Sequence, residues 1–264
     1  MHCIDTHGGR VAYETIGSGA TPVVAVPGIG DLRASYRALA PLLAAQDCTV
    51  YLMDLRGHGD SDVSFGSYTS EDIGDDVCAL LESLDLRDAV LLGNSIGAAA
   101  IVHASLQSDR VAKLVLLSGF VSDPPNFGLV KPMLALMFAW PWGVGVWGMY
   151  RKTLFASPPD DHATNHDTVM SNLREPGRLK AVRKMMGASK KSISARLADV
   201  RLPALIAMGA ADPDFSNPED EAQRQARELG GDNLVVMIEE AGHYPQVERP
   251  EETAQAILAF RGPA

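Results

Sequence analysis

Short apolar runs that alternate with longer helix-like segments constrain the fold of this 264-residue chain more than any other feature. Strands that are buried on both faces need nearly continuous apolar residues. Runs of this kind separated by helices indicate a parallel sheet covered on both faces. We therefore predict an α/β fold with a mostly parallel central sheet, whose strands lie at Thr21–Val26, Thr49–Met53, Ala89–Leu92, Lys113–Leu117, Ala204–Met208 and Leu234–Ile238.

The segments between these runs carry helix signals. Three aspartates, Asp72, Asp75 and Asp76, fall in the first turns of one segment, where negative charge stabilises a helix. Another segment begins with Pro250, at a position where the missing N–H of proline is tolerated. The predicted helices are Ser35–Ala45, Thr69–Leu84, Ala98–Ser105, Pro218–Leu229 and Pro250–Phe260.

Residues 121–200 interrupt the alternation. This region has no convincing strand and contains all three tryptophans of the chain. It holds 11 Lys or Arg against 6 Asp or Glu, so its net charge is +5, while the rest of the chain carries −15. We expect a helical lid inserted between two strands, with residues 1–120 and 201–264 forming the core.

Composition excludes several classes of function. The formal net charge is −10, whereas nucleic-acid binding needs clustered Lys and Arg, so we expect no nucleic-acid partner. The cysteines Cys3, Cys48 and Cys78 are scattered, which argues against a disulfide framework or a zinc site and suits a reducing compartment. The chain has no dinucleotide-binding or Walker motif and no His-x-x-His cluster, so we expect neither a cofactor nor a metal.

No membrane segment is predicted either. The N-terminus lacks a basic start followed by an apolar run, so we expect no signal peptide. The apolar stretch Leu134–Tyr150 is short and contains Pro141 and three glycines, whereas a spanning helix needs about 20 mostly apolar residues. We expect a cytoplasmic protein without stable membrane insertion.

One tight turn carries the pattern G-x-S-x-G, at residues 93–97, Gly-Asn-Ser-Ile-Gly. It lies between the predicted strand Ala89–Leu92 and the predicted helix Ala98–Ser105. In such a strained turn, a side chain at either glycine position would collide with neighbouring backbone. The N–H groups at the start of the helix then point towards the serine oxygen. Ser95 is therefore a candidate nucleophile; the alternative is a serine in a glycine-rich turn without chemistry.

A nucleophilic serine needs a base, and the base needs an orienting acid. Of the seven histidines, only His243 combines a loop position after a strand with a flanking glycine. Asp212 lies just beyond the predicted strand Ala204–Met208 and is the candidate acid, with Asp214 as a possible substitute two residues later. Asp212 has a second interpretation as the cap of a turn before Pro213, a common use of aspartate.

The order Ser, Asp, His along the chain, with the serine in an elbow, resembles that of the α/β-hydrolase family, and the resemblance covers residues 23–260. It implies an α/β-hydrolase fold with a catalytic triad of Ser95, Asp212 and His243. Some members of this fold carry the acid after the preceding strand, which makes Asp123 the alternative to Asp212.

Two loops also resemble those of the family. Residues 24–30 resemble its oxyanion loop, which implies that the backbone amides of Ile29 and Ile96 bind the oxyanion. The family usually has His-Gly in this loop where this chain has Pro27–Gly28, a departure that bears on the loop's hydrogen bonds. Residues 54–61 resemble the family's Asp-x-Arg-Gly-x-Gly-x-Ser loop, whose role is mainly architectural.

The resemblance implies a serine hydrolase that cleaves a carboxylic ester or lactone bond in a small apolar molecule through an acyl-enzyme. Epoxide hydrolases and haloalkane dehalogenases of this fold carry aspartate at the position of Ser95, so neither reaction is expected. Two alternatives stay open. One is a carbon–carbon bond (diketone) hydrolase, in which Arg174 or Arg178 would bind a substrate carboxylate. The other is a small-molecule receptor without turnover.

The apolar residues of the lid have two interpretations. Phe127, Met137 and Trp140 are candidates for binding the substrate above Ser95. Alternatively, the apolar lid residues pack the lid onto the core or onto a second subunit, which would form a homodimer through the lid. The stretch Arg178–Arg196 is basic without any acidic residue; a solvated helix face is favoured there over attraction of an anion.

Overall fold

Eight strands form one sheet in the computed structural model, which describes residues 1–262. They are β1 His2–Thr6, β2 Gly9–Ile16, β3 Thr21–Val26, β4 Cys48–Met53, β5 Ala89–Asn94, β6 Val111–Leu117, β7 Ala204–Gly209 and β8 Asn233–Ile238. Their spatial order is β1-β2-β4-β3-β5-β6-β7-β8. All pairs among β3 to β8 are parallel, whereas β1 pairs with β2, and β2 with β4, in antiparallel fashion. The predicted fold class is therefore confirmed.

The antiparallel hairpin of β1 and β2 is absent from the sequence-based prediction. Only Ile4 of β1 is buried, so this edge strand has no continuous apolar run that would reveal it. Its turn contains Gly8 with a φ of 94°, a conformation that glycine adopts without a steric penalty. The hairpin continues the sheet beyond β4 and leaves the parallel strands in its centre.

Helices lie between the strands along residues 1–262. They are α1 Leu39–Ala44, α2 Ser70–Ser83, α3 Ile96–Gln107, α4 Phe127–Met137, α5 Gly143–Thr153, α6 His162–Arg174, α7 Arg178–Met186, α8 Lys191–Ser194, α9 Pro218–Glu228, α10 Pro245–Glu248 and α11 Pro250–Arg261. The predicted helix Ser35–Ala45 divides into a 3₁₀ turn, Arg33–Tyr36, and α1, because Pro41 has no N–H and fits only the first turn of a helix. Within residues 1–262, no helix is long and apolar enough to cross a membrane.

Both faces of the sheet are buried, which explains the continuous apolar runs. In β3, Val24 and Val26 belong to a cluster shared with α2, α3 and α9. Val23 and Ala25 belong to a cluster on the other face, shared with α1 and α11. Because successive side chains of a strand alternate between faces, a strand buries all of them only when helices cover both sides.

Helices α4 to α8 lie between β6 and β7 along the chain. Side chains of α4 to α7 form an apolar cluster in which Trp147 packs edge-on against Phe138, whereas Ile193 of α8 belongs to the cluster of the sheet. Leu32, from the loop after β3, belongs to the same cluster as Trp147. The inserted helices therefore pack onto the loop that follows the third strand, and this contact places them beside the carboxyl end of the parallel sheet.

A buried ion pair holds the loop after β4 against α2. Arg56 Nε and Nη2 donate to the two carboxylate oxygens of Asp76 at 2.8 and 2.7 Å, and both side chains are almost inaccessible. The same guanidinium donates to the backbone oxygens of Ser67 and Asp72. Removing one partner of such a pair leaves the other charge buried and unpaired, at a typical cost of about 3–5 kcal/mol.

We expect Asp76→Ala to lower the free energy of unfolding by about 3 kcal/mol, the lower end of the range for a broken buried pair, since Arg56 would stay buried but keep an ion pair of 3.3 Å with the partly exposed Asp72. The matched control is Arg87→Ala, which removes an exposed ion pair with Asp85 and should cost less than about 1 kcal/mol. Urea unfolding followed by circular dichroism measures both. Equal losses in the two variants would show that the buried pair does not hold this loop.

Candidate active site

Ser95 occupies the sharp turn between β5 and α3. Its φ of 55° and ψ of −119° lie outside the regions that non-glycine residues normally adopt. A Cβ on Gly93 would lie 2.4 Å from backbone atoms of Gly97, and a Cβ on Gly97 would lie 2.5 Å from Val26 O. The two glycines therefore allow the helix to begin directly against the strands, with the serine at the tip of the turn.

Hydrogen bonds from neighbouring segments hold this turn. The Ser95 N–H donates to Leu117 O at 3.1 Å, and the Phe120 N–H donates to Ser95 O at 3.0 Å. The buried Asn94 amide donates to Leu117 O and to His243 O, each at 3.0 Å. Asn94 thus joins the elbow to the histidine loop. This role of Asn94 is not predicted from the sequence, because Asn94 stands at an unspecified position of the motif.

His243 lies in the loop after β8 and faces Asp212, which follows β7. The imidazole Nδ1–H donates to Asp212 Oδ2 at 2.8 Å, and both side chains are buried. Burial lowers the pKa of His243, but the charge and hydrogen bond of Asp212 outweigh burial and leave this pKa above its ordinary value. Because Nδ1 is engaged, Nε2 is the nitrogen available for proton transfer.

Asp214 adds a second carboxylate near the imidazole. Its Oδ2 lies 3.8 Å from His243 Nδ1, and the Tyr150 hydroxyl donates to the same carboxylate at 2.7 Å. Burial raises the pKa of Asp214. Ligand atoms of Asp212, Asp214 and His243 lie within 4.8 Å of one another and, among the described residues, form the one cluster that could hold a metal ion. A metal there would displace the hydrogen bond on Nδ1, so the cluster fits proton transfer better.

Asp123, the alternative acid, lies in a different environment. Its carboxylate accepts hydrogen bonds from the Ser189 hydroxyl and from the Lys190 N–H, the latter at 2.8 Å. These contacts tie the segment after β6 to the segment before α8. Of the two candidates, Asp212 is the one that the structure brings within hydrogen-bond distance of His243.

Two backbone amides at the cavity are without an acceptor. Ile29 and Ile96 line the same cavity as Ser95, and neither N–H donates a hydrogen bond within the part of the chain that the structure describes. Ile96 is the first residue of α3, where N–H groups have no acceptor inside the helix. Both amides are therefore available to a negatively charged oxygen, the role that the sequence predicts for them.

His58 holds the neighbouring residue of the same loop. The Gly30 N–H donates to His58 Nε2 at 3.0 Å, and His58 Nδ1–H donates to Arg56 O at 3.1 Å. Burial lowers the pKa of His58 to about 4, so the ring stays neutral and keeps its acceptor near neutral pH. Sequence analysis treated this loop as architectural, and only the packing of two distant loops reveals the contact.

The loop of residues 24–30 forms its turn without the histidine that the family usually carries there. The Asp31 N–H donates to Gly28 O at 3.2 Å, which completes the turn after Pro27. A Cβ on Gly28 would lie 3.0 Å from Asn94 Oδ1 and 3.2 Å from Ser95 Cβ. Close contact between Gly28 and the elbow therefore holds this loop against Ser95.

A cavity of about 380 Å³ opens beside Ser95 and His243. Its wall is mostly apolar and comes largely from the inserted helices. Phe127 and Met137, two of the predicted substrate-binding residues, line it. The other lining residues of the region between β6 and β7 are Phe120, Pro124, Leu134, Phe138, Trp147, Tyr150, Leu154, Met185, Met186 and Lys190.

Trp140, the third predicted substrate-binding residue, lies elsewhere. Its side chain is 78% exposed and lines a separate depression with Val144 and Leu173. The chain leaves α4 at Phe138, and that ring turns inward against Trp147 and takes the buried position. The structure thus corrects the assignment of Trp140: Trp147 is the tryptophan at the cavity.

Lys190 is the basic residue that lines this cavity. The two arginines that the sequence offered as carboxylate ligands lie outside it. Arg178 donates to Ser61 O and pairs with Glu175 at 3.2 Å. Arg174 lines the depression that also holds Trp140. The arginine candidates are thereby corrected, and the cation at the cavity comes from the segment between α7 and α8.

Comparisons with known proteins show which family and fold this chain resembles. Residues 23–256 match the family described as the alpha/beta hydrolase family. The dihydrolipoyllysine-residue acetyltransferase component of the acetoin cleaving system of Pseudomonas putida is 30% identical over 96% of this chain and 67% of its own length. The karrikin insensitive 2 receptor IA of Petunia hybrida is 26% identical over 94% of this chain and 93% of its own. A thermophilic esterase from Thermogutta terrifontis has a TM-score of 0.78 and 26% identity, with 97% of this chain and 96% of that chain covered.

We expect Asp212→Asn to lower the pKa of His243, because burial then acts without the opposing carboxylate. Asp214→Asn is the matched control and should lower this pKa less, since its carboxylate lies 3.8 Å from Nδ1 instead of 2.8 Å. An NMR titration of the imidazole measures both variants. An unchanged pKa in Asp212→Asn would contradict the pairing of these two side chains.

Proposed function

The chain belongs to the alpha/beta hydrolase family, and on that premise we propose that it is a serine hydrolase that cleaves a carboxylic ester or lactone bond in a small molecule. One observation carries the proposal: the buried 2.8 Å hydrogen bond between His243 and Asp212, at a cavity that Ser95 also lines. A serine hydroxyl that shares a cavity with a base oriented by an acid is what nucleophilic acyl transfer requires.

Acylation begins at the Ser95 hydroxyl. His243 Nε2 accepts its proton while the oxygen attacks the substrate carbonyl, and the amides of Ile29 and Ile96 donate to the oxyanion that forms. Loss of one such donor typically raises the barrier by about 3–4 kcal/mol. The bond to the leaving oxygen then breaks, the imidazolium returns its proton to that oxygen, and an acyl-enzyme remains. Asp212 holds the Nδ1–H tautomer and stabilises the imidazolium.

Deacylation uses the same groups with water as the nucleophile. His243 accepts a proton from water, and the hydroxide oxygen attacks the acyl carbonyl. The tetrahedral oxyanion again lies against the two amides. Cleavage of the ester bond to Ser95 releases the carboxylic acid, and the imidazolium returns its proton to the serine oxygen. The cycle therefore consumes one water and needs no external cofactor.

Residues 121–200 act as a lid in this proposal. Side chains of α4 and α5, including Phe127 and Trp147, form much of the cavity wall. Two polar contacts join these helices to the core: the hydrogen bond from Tyr150 to Asp214 and a buried ion pair of 3.3 Å between Arg151 and Asp31. A mostly apolar wall excludes water from the reacting groups and strengthens their electrostatic interactions.

The likeness to the Thermogutta terrifontis esterase supports an ester as the bond cleaved. A second candidate function is a small-molecule receptor with little or no turnover. The similarity to the Petunia hybrida receptor over 94% of the chain favours this candidate. Because the same triad and cavity would serve both functions, steady turnover is the property that separates them.

We expect the chain to hydrolyse p-nitrophenyl esters of short or medium acyl chains, and Ser95→Ala to reduce kcat by about 10³-fold or more. Ser105→Ala, at the far end of α3 with its hydroxyl bonded to Val102 O, is the matched serine control and should retain activity. Release of p-nitrophenol at pH 8 measures all three proteins. Equal activity in wild type and Ser95→Ala would refute the triad. Ligand-dependent thermal stabilisation without turnover would favour the receptor.

The pH dependence of kcat/KM provides a second test. The mechanism needs neutral His243, whose pKa is raised, so activity should fall as the pH drops through a midpoint above the ordinary histidine value of about 6.5. Asp212→Asn should shift that midpoint to lower pH and reduce kcat by about 10⁴-fold, because the tautomer is no longer held. A profile with the same midpoint in both proteins would contradict the roles of His243 and Asp212.

A further inference from the structure

Lys190 lines the wall of the cavity that Ser95 also lines. Within residues 1–262 its Nζ makes no hydrogen bond and lies more than 4.0 Å from every carboxylate oxygen. The hydrogen bond that this residue does make comes from its backbone, whose N–H donates to Asp123 at 2.8 Å. Its backbone is therefore held in place, while its ammonium makes neither a hydrogen bond nor an ion pair within residues 1–262.

Two carboxylates, Asp123 and Glu71, act electrostatically on Lys190, and both accept hydrogen bonds from other groups. Asp123 accepts from the Ser189 hydroxyl and from the Lys190 backbone. Glu71 Oε1 accepts from the Ser192 hydroxyl, whereas Glu71 Oε2 is buried without a hydrogen bond among the described residues. Burial lowers the pKa of Lys190, and these two carboxylates offset that effect only in part. An ammonium in a mostly apolar wall is costly without a partner, so a bound anion would stabilise it.

Several other polar groups at the cavity have assigned roles or carry no charge. Ser95 and His243 carry the proposed chemistry, and Asp214 accepts from the Tyr150 hydroxyl. Trp147 Nε1 is a buried donor without a hydrogen-bond partner among the described residues, but it is neutral. Lys190 is left as a charged side chain that the proposed mechanism does not use. An ester that is apolar throughout would leave it unpaired, whereas an ester with an anionic group would not.

Basic residues also line a depression next to this cavity. This depression shares Leu134 and Met186 with the cavity, and its lining includes Lys131, Arg183 and Lys184. Residues 121–200 carry a net charge of +5, against −15 for the rest of the chain. Clustered positive charge beside a low-dielectric cavity attracts anions and raises their local concentration.

We propose that the physiological substrate carries a carboxylate, which binds Lys190 Nζ while its ester or lactone carbonyl lies at Ser95. This inference rests on the proposed hydrolase function and narrows its substrate class from an apolar molecule to an apolar chain with one anionic end. A single ammonium matches a monoanion. A phosphate dianion would call for several donors, such as an arginine fork, and neither Arg174 nor Arg178 lines the cavity.

The test compares esters that differ only in the far end of the molecule. Monomethyl adipate is matched with methyl hexanoate, and monomethyl suberate with methyl octanoate. The acetate ester of 6-hydroxyhexanoate is matched with hexyl acetate, which places the carboxylate in the alcohol part. Acid release in a pH-stat gives kcat and KM for wild type, Lys190→Met, Lys190→Arg and Lys191→Met. Lys191, the next residue, does not line the cavity and controls for loss of surface charge.

We expect wild type to prefer at least one carboxylate ester by about tenfold or more in kcat/KM. Lys190→Met should abolish that preference, mainly by raising KM for the carboxylate esters, because its side chain has a similar length and no charge. The readout is the ratio of kcat/KM between the two esters of a pair within one variant, so a general effect of the substitution on the cavity cancels. Lys190→Arg should restore much of the preference, and Lys191→Met should keep it. A preference that persists in Lys190→Met, or the absence of any preference in a wild type that hydrolyses both esters of a pair, overturns the assignment.

A binding measurement separates this inference from the hydrolase proposal. Calorimetric titration of Ser95→Ala with hexanoate needs no turnover. Binding that weakens about tenfold or more when Lys190→Met is added supports the anion site, even where every ester resists hydrolysis and the hydrolase proposal fails. Ser95-dependent hydrolysis with no effect of Lys190→Met on hexanoate binding leaves the hydrolase proposal standing and refutes the anion site.

Discussion

The backbone conformation at Ser95 is the constraint on which the rest of the site depends. A positive φ of 55° at a serine costs on the order of 1–3 kcal/mol, so the surroundings must impose it. They do so with backbone hydrogen bonds to Leu117 and from Phe120, and with two glycines that let α3 press against β3 and β5. The parallel strands supply most of these contacts, so the sheet holds the turn in this conformation.

Polar contacts between segments that are distant in sequence assemble the remainder of the site around that turn. Asn94 donates to the backbone of His243, and His58 accepts from Gly30 at the end of the loop of residues 24–30. The ion pair of Arg151 with Asp31 then joins the inserted helices to the same loop. Each of these side chains is buried, so each contact is strong in its low-dielectric setting and costly to break. Loops that would otherwise move independently are thereby fixed relative to Ser95.

The cavity combines two kinds of chemistry because two parts of the chain build it. The loops at the carboxyl ends of the parallel strands contribute Ser95, His243 and Asp212. The region between β6 and β7 contributes an apolar wall and Lys190. In the proposed hydrolase, residues 121–200 therefore shape the substrate cavity, while the loops of the sheet position the three groups of the triad.

The sequence by itself determined the elements whose signal is local. Thr21–Val26 is a strand in both the prediction and the structure, because a run buried on both faces must be apolar throughout. The turn around Ser95 was also predicted from the sequence, because the glycines that it requires, Gly93 and Gly97, each lie two residues from the serine. Only the tertiary structure decided the rest: the partly exposed hairpin β1–β2, the outward position of Trp140, and the contacts of His58 and Lys190. These features depend on which side chains from distant segments contact each other. Trp147 lines the cavity and Trp140 does not because of such packing, and the local pattern of residues does not predict it.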